Sequence, residues 1–317
     1  MEKKFNIGII GAGLVGERLI NAIDRHPLGN VKGIYDVDNK RLKEITDQYH
    51  LKGVTSYHEL LEDPEIDIIY LAVPPKYHYP IALDIIESKK HFLCEKPLAN
   101  STEEAKKMYE GVTKHRLVNG MNFPTAYTPA FKKLEQLLEE GYIGELLRIE
   151  LKGSFTHWPR LWQQNEWIAT REQGGFVKEV FTHFIQLIQR CFGEIQDIQS
   201  FIEYPENSSR SEKGIIGIGK VKKQVAVLFN GLTDVGMKEE LAFTIHGDRG
   251  SISLRDWHEL WISTKDTEFE RVNLDTNDHL VELLNQFFKA IQERQANLVT
   301  FKEGYAAQIV IDKLLNN

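Results

Sequence analysis

Hydrophobic and polar positions follow two alternating periods along residues 1–122. Short apolar runs predict strands, and apolar positions at helical spacing predict the helices between them. The predicted strands are 5–10, 31–35, 66–73, 91–95 and 117–122, and the predicted helices are 14–25, 40–49, 79–88 and two that begin after the capping residues Ser56 and Ser101. Strands that alternate with helices predict an α/β Rossmann-type fold, a doubly wound parallel sheet, over residues 1–122.

The pattern changes after Asn122. It predicts a helix at 128–140, a strand at 146–155, an irregular aromatic stretch at 158–175, a helix ending near Arg190, several strands between 197 and 262, and helices at 278–295 and 302–315. Consecutive strands without helices between them are typical of antiparallel pairing. Residues 123–317 are therefore predicted to form an α+β domain with a large open, mostly antiparallel sheet.

Composition narrows the class of protein. The 317 residues carry 39 Lys and Arg against 46 Asp and Glu, a net charge of −7, which argues against general binding to nucleic acid. Cys94 and Cys191 lie far apart with no CxxC spacing, which predicts no metal site and favours a cytoplasmic location. Glycines interrupt the apolar run 5–15, unlike a signal peptide, and no stretch approaches the roughly 18 to 20 apolar residues that span a bilayer.

A glycine-rich segment follows the first predicted strand and opens the first helix. It reads GAGLVG and comprises Gly11, Ala12, Gly13, Leu14, Val15 and Gly16. In this context the glycines allow a tight turn and bring a pyrophosphate to the helix amino terminus. Asp36 stands twenty residues beyond Gly16, where a carboxylate holds the ribose hydroxyls. The competing interpretation is an ordinary glycine turn and a surface aspartate.

Asp36 also bears on the choice of cofactor. A 2′-phosphate beside this carboxylate would meet like charge, on the order of 4 kcal/mol per charge pair at close range and an effective dielectric near 20. NAD is therefore favoured over NADP. Lys40 and Arg41 follow closely enough to soften this preference, unless they are only the exposed start of a helix.

A charged pair ends the apolar strand at 91–95. Glu95 and Lys96 are followed by Pro97, and ligands of doubly wound sheets bind outside the carboxyl ends of the strands. We therefore expect Lys96 beside the nicotinamide half of the cofactor, able to donate a hydrogen bond to a substrate oxygen. The segment 73–75 is expected to form the neighbouring wall. Alternatively, Lys96 has a purely structural role as the ion-pair partner of Glu95.

Several of these segments together resemble the glucose–fructose oxidoreductase / inositol dehydrogenase (Gfo/Idh/MocA) family. The matching segments are Gly11-Ala12-Gly13, Val73-Pro74-Pro75 with His78, Cys94-Glu95-Lys96-Pro97-Leu98-Ala99 and Glu140-Gly141-Tyr142-Ile143-Gly144-Glu145. The resemblance covers most of the chain. It implies cofactor contacts at Val73, Pro74, His78, Glu95 and Lys96, a Lys96–Pro97 peptide that is commonly cis, and a catalytic role for Lys96.

The family's other landmark is a glycine pair before a helix that carries an aspartate and, four residues later, a histidine. Here the pair is Gly174-Gly175, followed by Glu179 and His183, which we expect on one helix face. The resemblance implies that His183 is the general acid/base and that Glu179 helps Lys96 to orient the hydroxyl. Glu179 replaces the aspartate, and Phe181 replaces a small residue and is expected to crowd or reshape the pocket. A histidine bonded to Glu179 for structural reasons alone is the alternative.

Aromatic and basic residues precede that helix. Tyr127, Trp162, Trp167 and Arg171 are candidate substrate contacts, because aromatic rings stack on sugars and Arg171 or Arg160 could hold a carboxylate or phosphate. Core packing or a subunit contact explains the aromatic residues equally well.

These patterns predict an NAD-dependent oxidoreductase that acts on a hydroxyl or carbonyl group of a sugar-like or polyol-like substrate. The resemblance implies a homodimer or homotetramer built on the second domain. One alternative is a catalytically silent, nucleotide-binding sensor or regulator of the same fold. A third interpretation uses the same redox chemistry for imine reduction or for bond cleavage through a transient ketone.

Overall fold

The computed structural model describes residues 4–163 and 165–316, and the chain divides into two compact units. Unit 1 contains the chain up to Pro124 together with Asp278–Tyr305, and unit 2 contains Thr125–Asn277 together with the chain from Ala306. The sequence placed a single division at residue 122. The structure instead returns residues 278–305 to the first unit.

Unit 1 is built on a parallel sheet. Its strands are β1 (Phe5–Ile10), β2 (Gly29–Tyr35), β3 (Ile68–Leu71), β4 (His91–Glu95) and β5 (Asn119–Asn122), and its first helices are α1 (Leu14–Arg25), α2 (Asn39–Tyr49), α3 (Tyr57–Glu62), α4 (His78–Glu87) and α5 (Thr102–Lys114). The strand order is β2-β1-β3-β4-β5, with every neighbouring pair parallel. This order confirms the predicted Rossmann-type sheet. The predicted capping box also forms, with Ser56 and Glu59 at the start of α3.

Unit 2 is built on a second, larger sheet. Its elements are α6 (Pro129–Glu139), β6 (Leu146–Phe155), a π-helical turn (Val177–Phe181) that runs directly into α7 (Thr182–Phe192), β7 (Gln196–Glu203), β8 (Gly214–Val221), β9 (Val225–Thr233), β10 (Glu240–Gly247), β11 (Gly250–Arg255), β12 (Glu259–Thr264) and β13 (Glu270–Arg271). The order is β13-β12-β11-β10-β6-β9-β8-β7. Strands β6 and β9 run parallel and the other neighbours antiparallel, which confirms the predicted mostly antiparallel sheet.

The two faces of this sheet differ in the way that strand alternation requires. Phe243 of β10 is buried and packs against Phe184 of α7, with ring centroids 6.1 Å apart. On the opposite face Phe201 and its register partner Ile216 are 66% and 63% exposed. One face therefore holds the core under helices, and the other presents apolar side chains at its β7–β8 edge.

Two helices close the chain, α8 (His279–Ile291) and α9 (Phe301–Leu315). Phe288 of α8 stacks on Phe5 of β1 at 4.7 Å between ring centroids. The N–H of Met121 in β5 donates a 2.8 Å hydrogen bond to the carbonyl of Val299. These contacts explain why residues 278–305 belong with the parallel sheet: their apolar side chains complete its core.

None of the helices within residues 4–163 and 165–316 is long and apolar enough to cross a membrane.

Candidate active site

The glycine-rich loop lies at the point where the order of the parallel sheet reverses, since β1 has β2 on one side and β3 on the other. Gly11 has φ +108°, and a Cβ there would lie 2.2 Å from the carbonyl oxygen of Ala72. Only glycine permits this backbone contact. It joins the loop after β1 to the segment that follows β3, which is where doubly wound sheets bind ligands.

The start of α1 is open. A Cβ at Gly13 would meet no other atom within 4 Å among the described residues, and the side chains of Leu14 and Val15 are 49% and 39% exposed. Gly13 is the N-cap of α1 and brings no capping side chain to the first amides of the helix. Free amides and the positive end of the helix dipole form a ready anion site. The space at Gly13 therefore suits a pyrophosphate.

Asp36 is fixed against this loop. Its Oδ2 accepts a 2.6 Å hydrogen bond from the N–H of Ala12, and its Oδ1 accepts one from the N–H of Asp38 at 2.8 Å. Arg41, which follows closely in α2, donates to the carbonyl of Ala12 and to the carboxylate of Glu17 at 2.9 and 2.6 Å. The guanidinium is thus already held by two acceptors, while the Asp36 carboxylate stands beside the loop.

His78 holds the segment 73–75 next to the glycine-rich loop through contacts with backbone carbonyls. The ring is fully buried, with Nε2 2.8 Å from the carbonyl oxygen of Val73 and Nδ1 3.0 Å from that of Pro97. Burial lowers the pKa of His78, against the opposite effect of these carbonyls. His78 therefore connects the segment after β3 to the segment after β4, and the neighbouring Val73 and Pro74 are half-buried.

Glu95 is buried at the end of β4 and is satisfied by its strand neighbours. Its Oε1 accepts hydrogen bonds from the Tyr70 hydroxyl of β3 and, at 2.5 Å, from the Asn122 side-chain amide of β5. Burial raises the pKa of Glu95, and these bonds together with the positive charge of Lys96 oppose the rise. The carboxylate of Glu95 is therefore stabilised mainly by two neutral hydrogen-bond donors, Tyr70 and Asn122.

Lys96 follows at the carboxyl end of β4 and is half-buried. The Lys96–Pro97 peptide is cis, as the resemblance implied. Lys96 interacts electrostatically with Glu95, so the two side chains are coupled, although Tyr70 and Asn122 share the stabilisation of the carboxylate.

The segment that carries Glu179 and His183 is not a uniform α-helix. Thr182 donates its N–H to the carbonyl of Val177, five residues earlier, and residues 177–181 form a π-helical turn. The sequence predicted one regular α-helix through positions 179 and 183. The α-helix begins only at Thr182, and Glu179 lies in the wider π turn that precedes it. Such turns are frequent at functional sites.

Around His183 the structure is aromatic. The imidazole is 6% exposed and meets the Trp257 ring edge to face at 5.4 Å between centroids. Trp257 lies in the turn between β11 and β12 and has φ +74°. A left-handed conformation is uncommon for a bulky residue and often marks a functional position. Sequence reasoning missed Trp257, since turn residues follow neither hydrophobic period.

Phe181 is a core residue of unit 2. It is fully buried and packs edge to face on Phe176 at 5.3 Å. Its ring fills the space above Gly153, where a Cβ would lie 2.8 Å from it. Phe181 belongs to the core between the π turn and the sheet.

Glu212 caps the start of the π turn and was also missed. It lies in the polar loop between β7 and β8, is 3% exposed, and accepts a 2.8 Å hydrogen bond from the N–H of Val177. Gly175, with φ +97°, makes room for it, because a Cβ there would lie 2.1 Å from Glu212 Oε2. Burial raises the pKa of Glu212 to about 7, while the Val177 amide and Lys178 oppose the rise.

The four candidate substrate contacts occupy different surroundings. Trp162 is 57% exposed, and Trp167 is half-buried in a short 3-10 turn. Arg171 stacks over Tyr204, with 3.8 Å from Cζ to the ring centroid, at the edge of a shallow cavity of about 360 Å³. Tyr127 is buried, and its carbonyl accepts a hydrogen bond from Asn277 at 3.1 Å.

Arg160, which the sequence suggested as an anion holder, is already paired. Its Nε and Nη2 donate to Glu239 Oε1 at 2.9 and 2.7 Å, and Nε also lies 3.1 Å from Oε2. The guanidinium packs over Trp257 at 5.6 Å from the ring centroid. Arg160, Trp257 and His183 are therefore contiguous. Among the described residues no group of three or more His, Cys, Asp or Glu is placed to hold a metal ion.

The sequence matches two protein-family models and several known oxidoreductases. Residues 5–123 match the sequence model of an oxidoreductase family with an NAD-binding Rossmann fold, and residues 131–253 match the GFO/IDH/MocA C-terminal domain. YrbE of Bacillus subtilis, described as an uncharacterized oxidoreductase, is 36% identical over 152 residues, 47% of this chain and 45% of YrbE. This match therefore spans less than half of the relative.

A second relative matches over nearly its whole length. Levoglucosan dehydrogenase of Pseudarthrobacter phenanthrenivorans is 25% identical over 99% of this chain and 96% of its own. A structure of levoglucosan dehydrogenase in complex with NADH and L-sorbose superposes with a TM-score of 0.88 at 22% identity, over 99% of this chain and 96% of that one. At this identity the superposition shows a shared fold.

Proposed function

This chain belongs to the Gfo/Idh/MocA family of oxidoreductases, with an NAD-binding Rossmann fold, and from that premise we propose that it moves hydride between NAD and a sugar-like or polyol-like substrate. The reacting carbon carries a hydroxyl in one direction and a carbonyl in the other. The observation that carries the proposal is the open amino terminus of α1 at Gly13 with Asp36 bonded to the same loop. A relative that acts on levoglucosan supports the substrate class.

The contacts of the glycine-rich loop in unit 1 support the binding of a dinucleotide. The amides of residues 13–16 at the start of α1 would hold the pyrophosphate, Asp36 the ribose hydroxyls, and the surface of Val73, Pro74 and Lys96 the nicotinamide half. The carboxylate of Asp36, with Arg41 already held by Ala12 and Glu17, favours NAD over NADP. When bound, NAD supplies the hydride acceptor or donor.

Three side chains have proposed roles in the reaction. The Lys96 ammonium donates a hydrogen bond to the substrate oxygen and stabilises negative charge that develops on it. His183 takes the hydroxyl proton in oxidation and returns it in reduction, and Glu179 orients that hydroxyl. The family resemblance supports these roles, as do the placement of Lys96 at a strand carboxyl end and the near-complete burial of the His183 ring beside Trp257.

We also propose that the chain acts as a homodimer or homotetramer in the cytoplasm. The exposed pair Phe201 and Ile216 on the uncovered face of the second sheet supports association with another copy. The unpaired thiols of Cys94 and Cys191 suit a reducing compartment. Sedimentation equilibrium of the purified protein tests the subunit number.

The decisive experiment combines cofactor titration with a substrate screen. We expect NAD(H) to bind more tightly than NADP(H), and sugars, anhydrosugars or inositols to change nicotinamide absorbance. The reverse cofactor preference would remove the assigned role of Asp36. Tight NAD binding without turnover of any hydroxyl or carbonyl compound would instead identify a nucleotide-binding sensor.

A further inference from the structure

Two side chains of unit 1 give opposite signals about the cofactor. Asp36 indicates NAD, because a carboxylate at this place repels a 2′-phosphate. Arg41 follows in α2, and an arginine near the end of the second strand accommodates the 2′-phosphate of NADP in other dinucleotide-binding folds. The contacts of Arg41 therefore bear on the choice between the two cofactors.

Arg41 lies beside the proposed adenosine end of the cofactor site. The Asp36 carboxylate accepts a hydrogen bond from the N–H of Ala12 at 2.6 Å, and Arg41 Nε donates to the carbonyl of Ala12 at 2.9 Å. Because the N–H and the carbonyl belong to one residue, the carboxylate and the guanidinium reach the same short piece of the glycine-rich loop. A 2′-phosphate on the ribose that Asp36 is proposed to hold would therefore have this guanidinium nearby.

Glu17 keeps the guanidinium occupied. Its Oε2 accepts a hydrogen bond from Arg41 Nη2 at 2.6 Å, and the two side chains are only partly exposed, Arg41 at 30% and Glu17 at 22%. Donors that are bound to Ala12 and Glu17 are not available to a phosphate. A phosphate at this place would also meet the negative charge of Glu17 in addition to that of Asp36.

Neighbouring side chains fix Glu17 in this position. Its Oε1 accepts a hydrogen bond from the Tyr49 hydroxyl at 2.9 Å, and the Tyr49 oxygen accepts one from the Asn21 amide at 2.9 Å. Gln48 donates to the same Oε1 at 3.3 Å. Burial raises the pKa of Glu17, but the nearby guanidinium and these hydrogen bonds more than offset that effect, so the pKa lies below its usual value. Glu17 is therefore an ionised carboxylate anchored between α1 and α2.

We propose that Glu17 is a specificity-determining residue, which withholds Arg41 from the cofactor and so masks a 2′-phosphate site in unit 1. With Arg41 withheld, the carboxylate of Asp36 decides the preference, and the chain selects NAD. The inference rests on the proposed binding of the dinucleotide at Gly13 and Asp36. It assigns part of the choice between NAD and NADP to the pairing of Glu17 with Arg41.

Fluorescence titration of the full-length protein with NADH and NADPH tests the inference without turnover. The wild type should bind NADH more tightly. Glu17→Gln keeps the size of the side chain and an oxygen for the Tyr49 hydroxyl, but it removes the charge that retains Arg41. It should raise the affinity for NADPH by about tenfold or more, because Arg41 becomes free to bind the phosphate, and change the Kd for NADH by less than about threefold.

Glu44→Gln is the matched control. Glu44 also approaches the guanidinium, at 3.7 Å from Arg41 Nη1, but its side chain is 51% exposed. The variant removes the same charge from the same arginine, and because exposed pairs contribute little, NADPH affinity should change by less than about twofold. An equal gain in Glu44→Gln and Glu17→Gln would mean that net charge alone sets the preference, and the inference would be overturned.

A double-mutant cycle shows whether Arg41 receives the phosphate. Arg41→Gln should weaken NADPH binding by about tenfold or more in the Glu17→Gln background and by less than about threefold in the wild-type background, where Glu17 withholds the arginine. Equal losses in both backgrounds would show that Arg41 is not masked. No loss in the Glu17→Gln background would show that Arg41 does not bind the phosphate, and either result refutes the inference.

Tyr49→Phe tests the anchor of Glu17 with both charges of the ion pair left in place. Loss of the hydroxyl removes one hydrogen bond from Glu17 Oε1. The affinity for NADPH should rise by a smaller factor, about two- to threefold, because Glu17 then retains Arg41 less firmly. Weaker binding of NADPH in this variant, with NADH binding unchanged, would contradict the proposed anchor even if Glu17→Gln did not fold.

Displacement of bound NADH by adenosine phosphates separates this inference from the proposed function. In Glu17→Gln, 2′,5′-ADP should compete more strongly than in the wild type, whereas 5′-AMP, which lacks the 2′-phosphate, should compete equally in both. An equal gain for the two nucleotides would place the effect away from the 2′ position and refute the inference alone. Wild-type protein that fails to bind NADH would refute the proposed function, and the inference with it.

Discussion

At the scale of single residues, the strand end at Glu95 and Lys96 shows how a buried charge is tolerated. Glu95 is held by the Tyr70 hydroxyl and the Asn122 amide, which neighbouring strands deliver to one carboxylate oxygen. Its coupling to Lys96 is one effect among several on its pKa, and burial is the largest. The carboxylate does not depend on the lysine alone, which is consistent with a catalytic role for Lys96.

Replacement of Lys96 tests that role. Lys96→Ala should lower kcat at least tenfold and leave the Kd for NADH nearly unchanged, because the ammonium is proposed to act on the substrate oxygen. Steady-state kinetics and fluorescence titration of NADH measure the two quantities. Lys114→Ala, at an exposed position near the end of α5, is the control, and normal kcat in Lys96→Ala would remove Lys96 from the mechanism.

His183→Asn tests the proposed base through the pH dependence of the rate. Asn keeps polarity and approximate size but cannot exchange a proton, so the fall in kcat on the acidic side should disappear together with most of the activity. The rate profile between pH 5 and 9 is the measurement. An unchanged acidic limb would assign the proton transfer to another group.

At the scale of elements, the π turn and α7 depend on a cap from a distant loop. The polar loop between β7 and β8 supplies Glu212, and Gly175 makes room for its carboxylate beside the Val177 amide. Lys178 donates to the carbonyls of Arg171 and Glu172 at 3.3 and 2.6 Å, which holds the preceding segment. The start of the element that carries Glu179 is therefore fixed by a buried carboxylate and a buried ammonium.

This cap makes stability depend on pH in a defined direction. Burial raises the pKa of Glu212 from its usual 4.5 to about 7, so the folded protein binds the proton more tightly than the unfolded chain. The contribution of Glu212 to the free energy of unfolding is therefore fully present below about pH 4.5 and is lost as the pH rises through about 7. A rise of this size corresponds to about 3 kcal/mol.

Glu212→Gln removes this titration and keeps an acceptor for the Val177 amide. The stability of the variant relative to wild type should therefore increase between pH 5 and pH 8, as measured by urea unfolding at both values. Glu206→Gln changes an exposed glutamate of the same loop and should show no such trend. A difference between Glu212→Gln and wild type that does not change with pH would show that folding does not raise the pKa of Glu212.

At the scale of the whole molecule, the chain returns to its first unit after building most of the second. Residues 278–305 bring α8 to the parallel sheet, where Phe288 stacks on Phe5 and packs edge-on against His26 at 4.8 Å. The Phe301 N–H donates to the Asn119 side chain of β5 at 2.9 Å. Unit 1 therefore needs a segment that lies more than 150 residues after its last strand in the sequence.

Phe288→Ala tests this dependence. Removal of a fully buried ring that stacks on another should lower the free energy of unfolding by about 3–5 kcal/mol. Leu161→Ala, at a position 82% exposed, should change it by less than about 0.5 kcal/mol. Urea unfolding measures both, and a Phe288→Ala cost below about 1 kcal/mol would contradict the view that α8 completes the core of unit 1.

The sequence by itself determined the local elements and the dinucleotide signature. The two hydrophobic periods predicted the parallel sheet and the antiparallel sheet, and the GAGLVG loop with Asp36 predicted the cofactor end of unit 1. These features are readable because each depends on neighbours within one element or one βα turn. Burial on a strand or helix face imposes a period on the sequence wherever the partner surface lies.

Only the tertiary structure decided which distant residues meet. It paired Arg160 with Glu239, brought Glu212 to the Val177 amide, set Trp257 against His183 and returned α8 to β1. It also placed Phe181 in the core. Such contacts join segments that are separate in the sequence, and no periodicity records them, because the partner of a buried polar group is set by the packing of the whole unit.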